Sequence, residues 1–266
     1  MGFKHVAIVT NICLLICLFG SPPLLAGISI SPAFIEADFN TKRPSGRFII
    51  RNTGTETERY RIVASHFVFN NNGQLTKKKP DENSLVPWIK FNPKEFSLPP
   101  KSNRAVRYVI VPKGKIESKE YWGFMELQSL KMNTVSANDN AGRKMKLKII
   151  PAILVPIFAT KGEISYSATV EETQLVTTEK GLEIDSMVKN TGQGHLLIKG
   201  IYEMINSSGD VVEKGGLGKG YILPGGQRRF KRTINPEIPK GDFTLNVAYS
   251  APNLKGTVTG KVQHSR

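Results

Sequence analysis

Catalysis needs titratable or nucleophilic side chains at usable spacings, and this chain offers few. Beyond residue 26 it has three histidines, His66, His195 and His264. None has a His, Asp or Glu partner at a metal-ligand spacing, so no metal site is expected. His66 lies in a strand-like run and reads as structural. No G-x-S-x-G occurs, which removes one signal of a hydrolase nucleophile. Gly215-Gly-Leu-Gly-Lys-Gly220 looks like a phosphate loop, but no Ser or Thr follows Lys219 and no helix pattern comes after it. It reads as a glycine-rich turn between strands. Asp139 to Gly142 has the composition of a calcium loop without its alternating carboxylates or closing Glu, and reads as a plain loop. The chain is therefore expected not to be an enzyme, and to need no cofactor.

Binding chemistry is better represented. Lys144-Met-Lys-Leu-Lys-Ile149 alternates lysine with apolar residues, and Ile150-Pro-Ala-Ile-Leu-Val-Pro-Ile-Phe158 follows. As a strand, this puts Met145, Leu147 and Ile149 on one face and Lys144, Lys146 and Lys148 on the other. Pro151 and Pro156 cannot donate to a ladder, so at least one side of the strand lacks ordinary central pairing. Exposed apolar edges recruit other strands. Met145, Leu147 and Ile149 are thus candidate partner-binding residues; the other reading is an ordinary last strand with its apolar face in the core. A basic cluster, Lys219 with Arg228, Arg229, Lys231 and Arg232, reads as a solvated strand beside a turn. One Phe among these cations gives little base-stacking surface, so nucleic acid is not an expected partner.

The elements that would position these residues are strands. Phe48-Ile49-Ile50, Tyr60-Arg61-Ile62-Val63, Phe67-Val68-Phe69 and Val106-Arg107-Tyr108-Val109-Ile110 are short β-branched and aromatic runs. Turn signals such as Asn52-Thr53-Gly54, Asn70 to Gly73 and Pro99-Pro100 separate them. No stretch beyond residue 26 keeps a 3.6-residue period. The pattern predicts an all-β sandwich. It also repeats in order: Arg51-Asn-Thr-Gly54 returns as Lys189-Asn-Thr-Gly192, Phe69 to Gly73 as Ile205 to Gly209, and Leu98-Pro-Pro-Lys101 as Leu223-Pro-Gly-Gly226. Two sandwiches are expected, residues 27–160 and 161–266, with Lys161-Gly162 as hinge. Lys131 to Arg143 reads as a long polar loop between the last two strands of the first.

Residues 1–26 read as a secretory signal: Lys4 and His5, an apolar run to Leu25, and small Ala26. Both cysteines, Cys13 and Cys17, lie inside it, so the exported chain would carry no disulfide. No second run of that length follows, and no transmembrane span is expected after signal removal. The chain carries a net charge of +15; loss of Lys4 leaves 36 basic against 22 acidic residues, +14. Such a surplus favours acidic partners.

Ile28-Ser-Ile-Ser-Pro32, the Pro93 to Pro112 strand–turn–strand, Tyr121 to Leu127 and the apolar strand ending near Pro156 together resemble the N-terminal domain of PapD-like periplasmic chaperones of pilus assembly. The resemblance covers roughly Ile28 to Thr160. It implies two immunoglobulin-like β-sandwich domains in tandem, set in a boomerang, and a periplasmic protein that stabilises exported pilin-like subunits by β-strand donation. An outer-membrane usher is a further implied partner. The family anchors a subunit carboxylate with an Arg and a Lys; the matching positions here are Phe34 and Leu154, so that clamp is missing or supplied differently. The alternative function is a structural or adhesive envelope protein whose tandem sandwiches bind polysaccharide or an acidic protein.

Overall fold

The computed structural model describes residues 27–40, 43–131, 133–138, 144–179, 181–234 and 241–265, with the backbone alone for 133–138 and 144–149. The described residues form strands and no helix, as the alternation predicts, and none of them forms a helix able to cross a membrane. The first twelve strands are β1 (Ile28–Ser31), β2 (Ile35–Asp38), β3 (Ser45–Asn52), β4 (Glu58–Phe69), β5 (Leu75–Lys78), β6 (Ile89–Asn92), β7 (Glu95–Leu98), β8 (Asn103–Ile110), β9 (Glu120–Ser129), β10 (Asn133–Asn138), β11 (Lys144–Ile149) and β12 (Ala152–Thr160). The rest are β13 (Ala168–Thr178), β14 (Gly181–Asn190), β15 (Leu196–Asn206), β16 (Val211–Ile222), β17 (Gln227–Thr233), β18 (Asp242–Ser250) and β19 (Val258–Ser265).

In the first sandwich, a sheet of order β1-β3-β8-β6 faces one of order β2-β12-β9-β4-β5, with β7 also on β4. Strand alternation builds the core between them. Phe48 and Ile50 of β3 and Val106 and Ile110 of β8 meet Ile62 of β4, Met125 and Leu127 of β9 and Val155 and Ile157 of β12. In the second, β13-β14-β17 faces β16-β15-β18-β19, around Leu182, Ile184, Val188 and Phe230 on one side and Ile198, Met204, Leu245, Val247 and Tyr249 on the other. Among the described residues no strand ladder joins β1–β12 to β13–β19.

Three sequence expectations differ from the structure. The 131–143 stretch is not wholly loop: β10 lies within it, because its main-chain groups pair with β11 residue by residue. Gly215 to Gly220 is not a turn but part of β16, which pairs with β15 through two register shifts. Two of its glycines answer close packing: a Cβ on Gly220 would stand 2.1 Å from the Arg228 guanidinium, and one on Gly215 3.0 Å from the Tyr202 ring. Finally, Lys144 to Phe158 is not one strand: it is two, broken at Ile150-Pro151, and within that stretch only Ile157 and Phe158 lie between two neighbours.

Candidate strand-docking edge

The candidate edge grows out of a long antiparallel hairpin. β9 and β12 pair from Gln128↔Ala152 to Glu120↔Thr160. Beyond them, β10 and β11 pair from Asn133↔Ile149 to Asn138↔Lys144 and form a sheet of their own. Pro151, which has no N–H, accepts from Ser129 N–H at 3.0 Å where the two ladders meet. Among the described residues β11 has a strand on one side only. β12 has β9 along its whole length, while parallel β2 reaches it only from Ile157 to Thr160. One side of Ala152–Pro156 is therefore without a ladder too, and the unpaired rim runs from β11 into β12.

The side chains of Met145, Leu147 and Ile149 lie outside the described residues; the register places these positions across from Ala137, Val135 and Asn133. Lys144, Lys146 and Lys148 stand across from Asn138, Ser136 and Thr134. Directly opposite residues share a face, so the ribbon has a mostly apolar row and a row of lysines against neutral polar residues.

Where the ribbon leaves the sandwich, the sheets part around a cavity of about 430 Å3. Ile28, Tyr60, Leu127 and Ile153 give it apolar walls, and Glu56, Glu58 and Lys131 stand at it as an ion-paired group. The outward face of the β9 sheet continues from there toward the second sandwich. Leu154 is across the ladder from Glu126, Pro156 from Phe124 and Phe158 from Trp122. Glu126 is 8% exposed. It accepts from Ser65 Oγ, from Gln128 Nε2 at 2.9 Å and from Lys77 Nζ at 3.1 Å. Burial alone would raise its carboxyl pKa; those donors more than reverse that and hold it below the ordinary value. The cation nearest Leu154's ladder partner is thus already matched. Phe34, 47% exposed, lines a separate hollow of about 160 Å3 with Glu36, His195 and Tyr221. Neither position that the resemblance assigns to the clamp carries a cation.

The junction between the sandwiches has its own apolar cluster: Phe67, Trp122, Phe124 and Phe158 from the first, Leu223 from the second. His195 stacks on Phe158 with ring centroids 3.5 Å apart. Its Nδ1 lies 2.8 Å from Glu120 Oε1, and its backbone N–H donates to Glu120 Oε2 at 2.7 Å. The Asn70–Gly73 turn docks as well, Asn71 C=O accepting from Arg229 N–H at 2.6 Å. His66 is buried against Trp122, a structural position as its run suggests. Among the described residues no three His, Cys, Asp or Glu side chains form a metal-binding group. Two members of the basic cluster are matched internally: Arg229 meets Asp185 at 3.0 Å, and Lys231 meets Glu183 at 2.8 Å and Asp185 at 3.1 Å. The Lys77–Glu126 and His195–Glu120 pairs escape sequence reading, because their members are 49 and 75 residues apart with no local pattern marking them.

No family model and no curated protein matches the chain. Solved structures do. A chain from a chaperone–tip adhesin complex of CFA/I fimbriae biogenesis is 16% identical with a TM-score of 0.46, covering 89% of this chain and 98% of that one. The chaperone–tip adhesion subunit complex CsuC–CsuE of Acinetobacter baumannii gives 14%, 0.47, 90% and 98%. The CupB2 chaperone of Pseudomonas aeruginosa gives 12%, 0.43, 90% and 99%. The fold described above rests on the ladders and cores of the chain itself. The chain is similar to the chaperones of pilus and fimbrial assembly, the family that its residue pattern resembles.

Proposed function

We propose that the chain is an exported, periplasmic chaperone-like protein that binds a pilin-like subunit by β-augmentation and performs no chemistry. In this reading residues 1–26 are removed on export, the two domains divide near Lys161, and Met145, Leu147 and Ile149 enter the partner's apolar groove. An outer-membrane usher is the second partner. One observation carries the reading: β11 ends a two-stranded ribbon with an apolar row of positions and, among the described residues, no third strand. A two-stranded hairpin is marginal in water by itself, and proteins ordinarily blunt such edges. A partner strand would supply the missing ladder.

Leu147→Glu tests it. In a donor strand the change leaves the chain folded and abolishes partner binding, since a partner's core would have to bury an unpaired carboxylate at a cost of several kcal/mol. In a strand whose apolar row belongs to the chain's own core, it unfolds the first domain. Thermal melting and pull-down from envelope extract on the same variant separate the two. A stable variant that still binds normally removes Leu147 from the edge.

A further inference from the structure

Among the described strands β4, β11 and β17 carry basic residues at alternate positions, and the ladder positions across from them differ: on β4 Arg61 stands across from Glu95 and Arg59 from Ser97. On β17 the residues are Arg229 and Lys231. Their charges are met across the neighbouring strands: Asp185 and Glu183 on β14, and Glu172 on β13 at 3.7 Å from Arg229. On β11 the residues are Lys144, Lys146 and Lys148, and the ladder sets Asn138, Ser136 and Thr134 opposite them. No Asp or Glu occupies any position of the β10–β11 ladder. The only other place for directly opposite cross-strand neighbours is the side of β11 that has no strand among the described residues.

We infer that the partner strand is acidic on one face: a segment whose apolar residues alternate with Asp or Glu, the acids standing opposite Lys144, Lys146 and Lys148. The inference rests on the β-augmentation reading and adds to it the chemistry of the occupant. Opposite charges directly across a ladder stabilise pairing, and like charges oppose it. The two rows then divide the work. Met145, Leu147 and Ile149 supply apolar contact, which many strands could satisfy. The lysine row discriminates among such strands and sets register, because a one-residue slip places each acid on the wrong face. An excess of 14 positive charges on the chain without residues 1–26 would speed encounter with such a segment but would not select its alternation.

The test uses the chain without residues 1–26 and synthetic strand-length peptides with one Val/Ile row in common. The second row is Glu, Thr or Lys; a fourth peptide has the Glu composition with its acids clustered at one end. Binding is followed by fluorescence anisotropy at low and high salt. The Glu-row peptide should bind roughly tenfold tighter than the Thr-row peptide at low salt, and the gap should close near about 0.5 M salt. The Lys144→Glu/Lys146→Glu/Lys148→Glu variant should prefer the Lys-row peptide, and the corresponding Gln variant should lose the preference without inverting it. A variant with the same change in net charge at exposed sites elsewhere, Lys113→Glu/Lys115→Glu/Lys255→Glu, should keep the preference for the Glu row. Equal binding of Glu-row and Thr-row peptides overturns the acidic partner and leaves β-augmentation standing. Equal binding of the clustered peptide, or loss of preference in the control variant, overturns it in favour of bulk charge. Failure of every peptide to bind overturns both readings.

Discussion

At the scale of single residues, two asparagines carry much of the fold. Asn52 ends β3 and Asn190 ends β14, both buried. Each Nδ2 donates to two carbonyls: Asn52 to Glu56 and Leu98 at 2.7 and 3.0 Å, Asn190 to Gly194 and Ile222 at 2.8 and 3.0 Å. Each Oδ1 accepts from the N–H two residues on. Asn52→Ala and Asn190→Ala should each cost about 2–4 kcal/mol by urea unfolding, since buried carbonyls lose their donors. A cost within error of zero at either site would show that the network is dispensable. This repeat is legible because the donor and its turn are contiguous in Asn-Thr-Gly. The later repeat is legible only to within one residue. The shared Leu-Pro pairs Leu98 with Leu223, whereas the hydrogen bonds pair Leu98 with Ile222 and Ser102 with Gly226. Glu126 is illegible, since only folding brings Ser65 and Lys77 to it. Glu126→Gln should cost about 1–2 kcal/mol at neutral pH. The folded carboxyl is held below its ordinary value of about 4, so its contribution is complete above that value and is lost as pH falls through the lower folded one. Urea midpoints of wild type and variant should therefore converge in acid; a gap independent of pH would mean that the carboxylate charge contributes nothing.

At the scale of elements, the ribbon is an outgrowth of a sandwich that closes without it. The β9–β12 ladder is complete from Gln128↔Ala152 inward, and the first core draws on β9 and β12. Replacing Leu130–Ile150 with an Asn-Gly turn, which leaves Ser129 opposite Pro151 as a two-residue hairpin requires, should leave the melting temperature within about 4 °C of wild type while abolishing partner capture. A large loss of stability would place the ribbon in the chain's own core. The alternation of Lys144 to Ile149 is enough to read β11, because the two-residue period is explicit in residue type. Its partner β10 is not legible. Asn-Thr-Val-Ser-Ala-Asn has turn-like composition, and its strand state comes from main-chain pairing with β11, which composition does not encode. The same limit hides β2: nothing local to Ile35–Asp38 says that it lies parallel to Ile157–Thr160 and so decides where the unpaired rim of β12 ends.

At the scale of the whole molecule, what matters is whether two sandwiches without a shared ladder hold a fixed relation. Alternation and turn chemistry make each sandwich readable, yet they say nothing of the junction, whose contacts join residues far apart in sequence. The Phe67, Trp122, Phe124, Phe158 and Leu223 cluster supplies area, and apolar area is non-directional. Direction comes from Glu120. Its side chain is 1% exposed, it lies on the strand that also carries Trp122 and Phe124, and both of its oxygens are taken up by His195. Glu120→Ala would leave the His195 backbone N–H and ring nitrogen buried without that acceptor, at a cost of about 2–4 kcal/mol, while Glu120→Gln keeps the volume and should lose less. The loss should fall on the junction and not on either core, because Glu120 belongs to neither apolar cluster. Limited trypsin digestion reads this directly. Lys161, in the segment joining β12 to β13, is held by its N–H to the Lys119 carbonyl at 3.1 Å, next to Glu120. The Ala variant should be cut after Lys161 several-fold faster than wild type at unchanged cutting elsewhere, since local opening sets proteolysis, with Gln in between. Equal rates for all three would mean that the apolar cluster alone fixes the two sandwiches and that the His195–Glu120 pair is incidental to their relation.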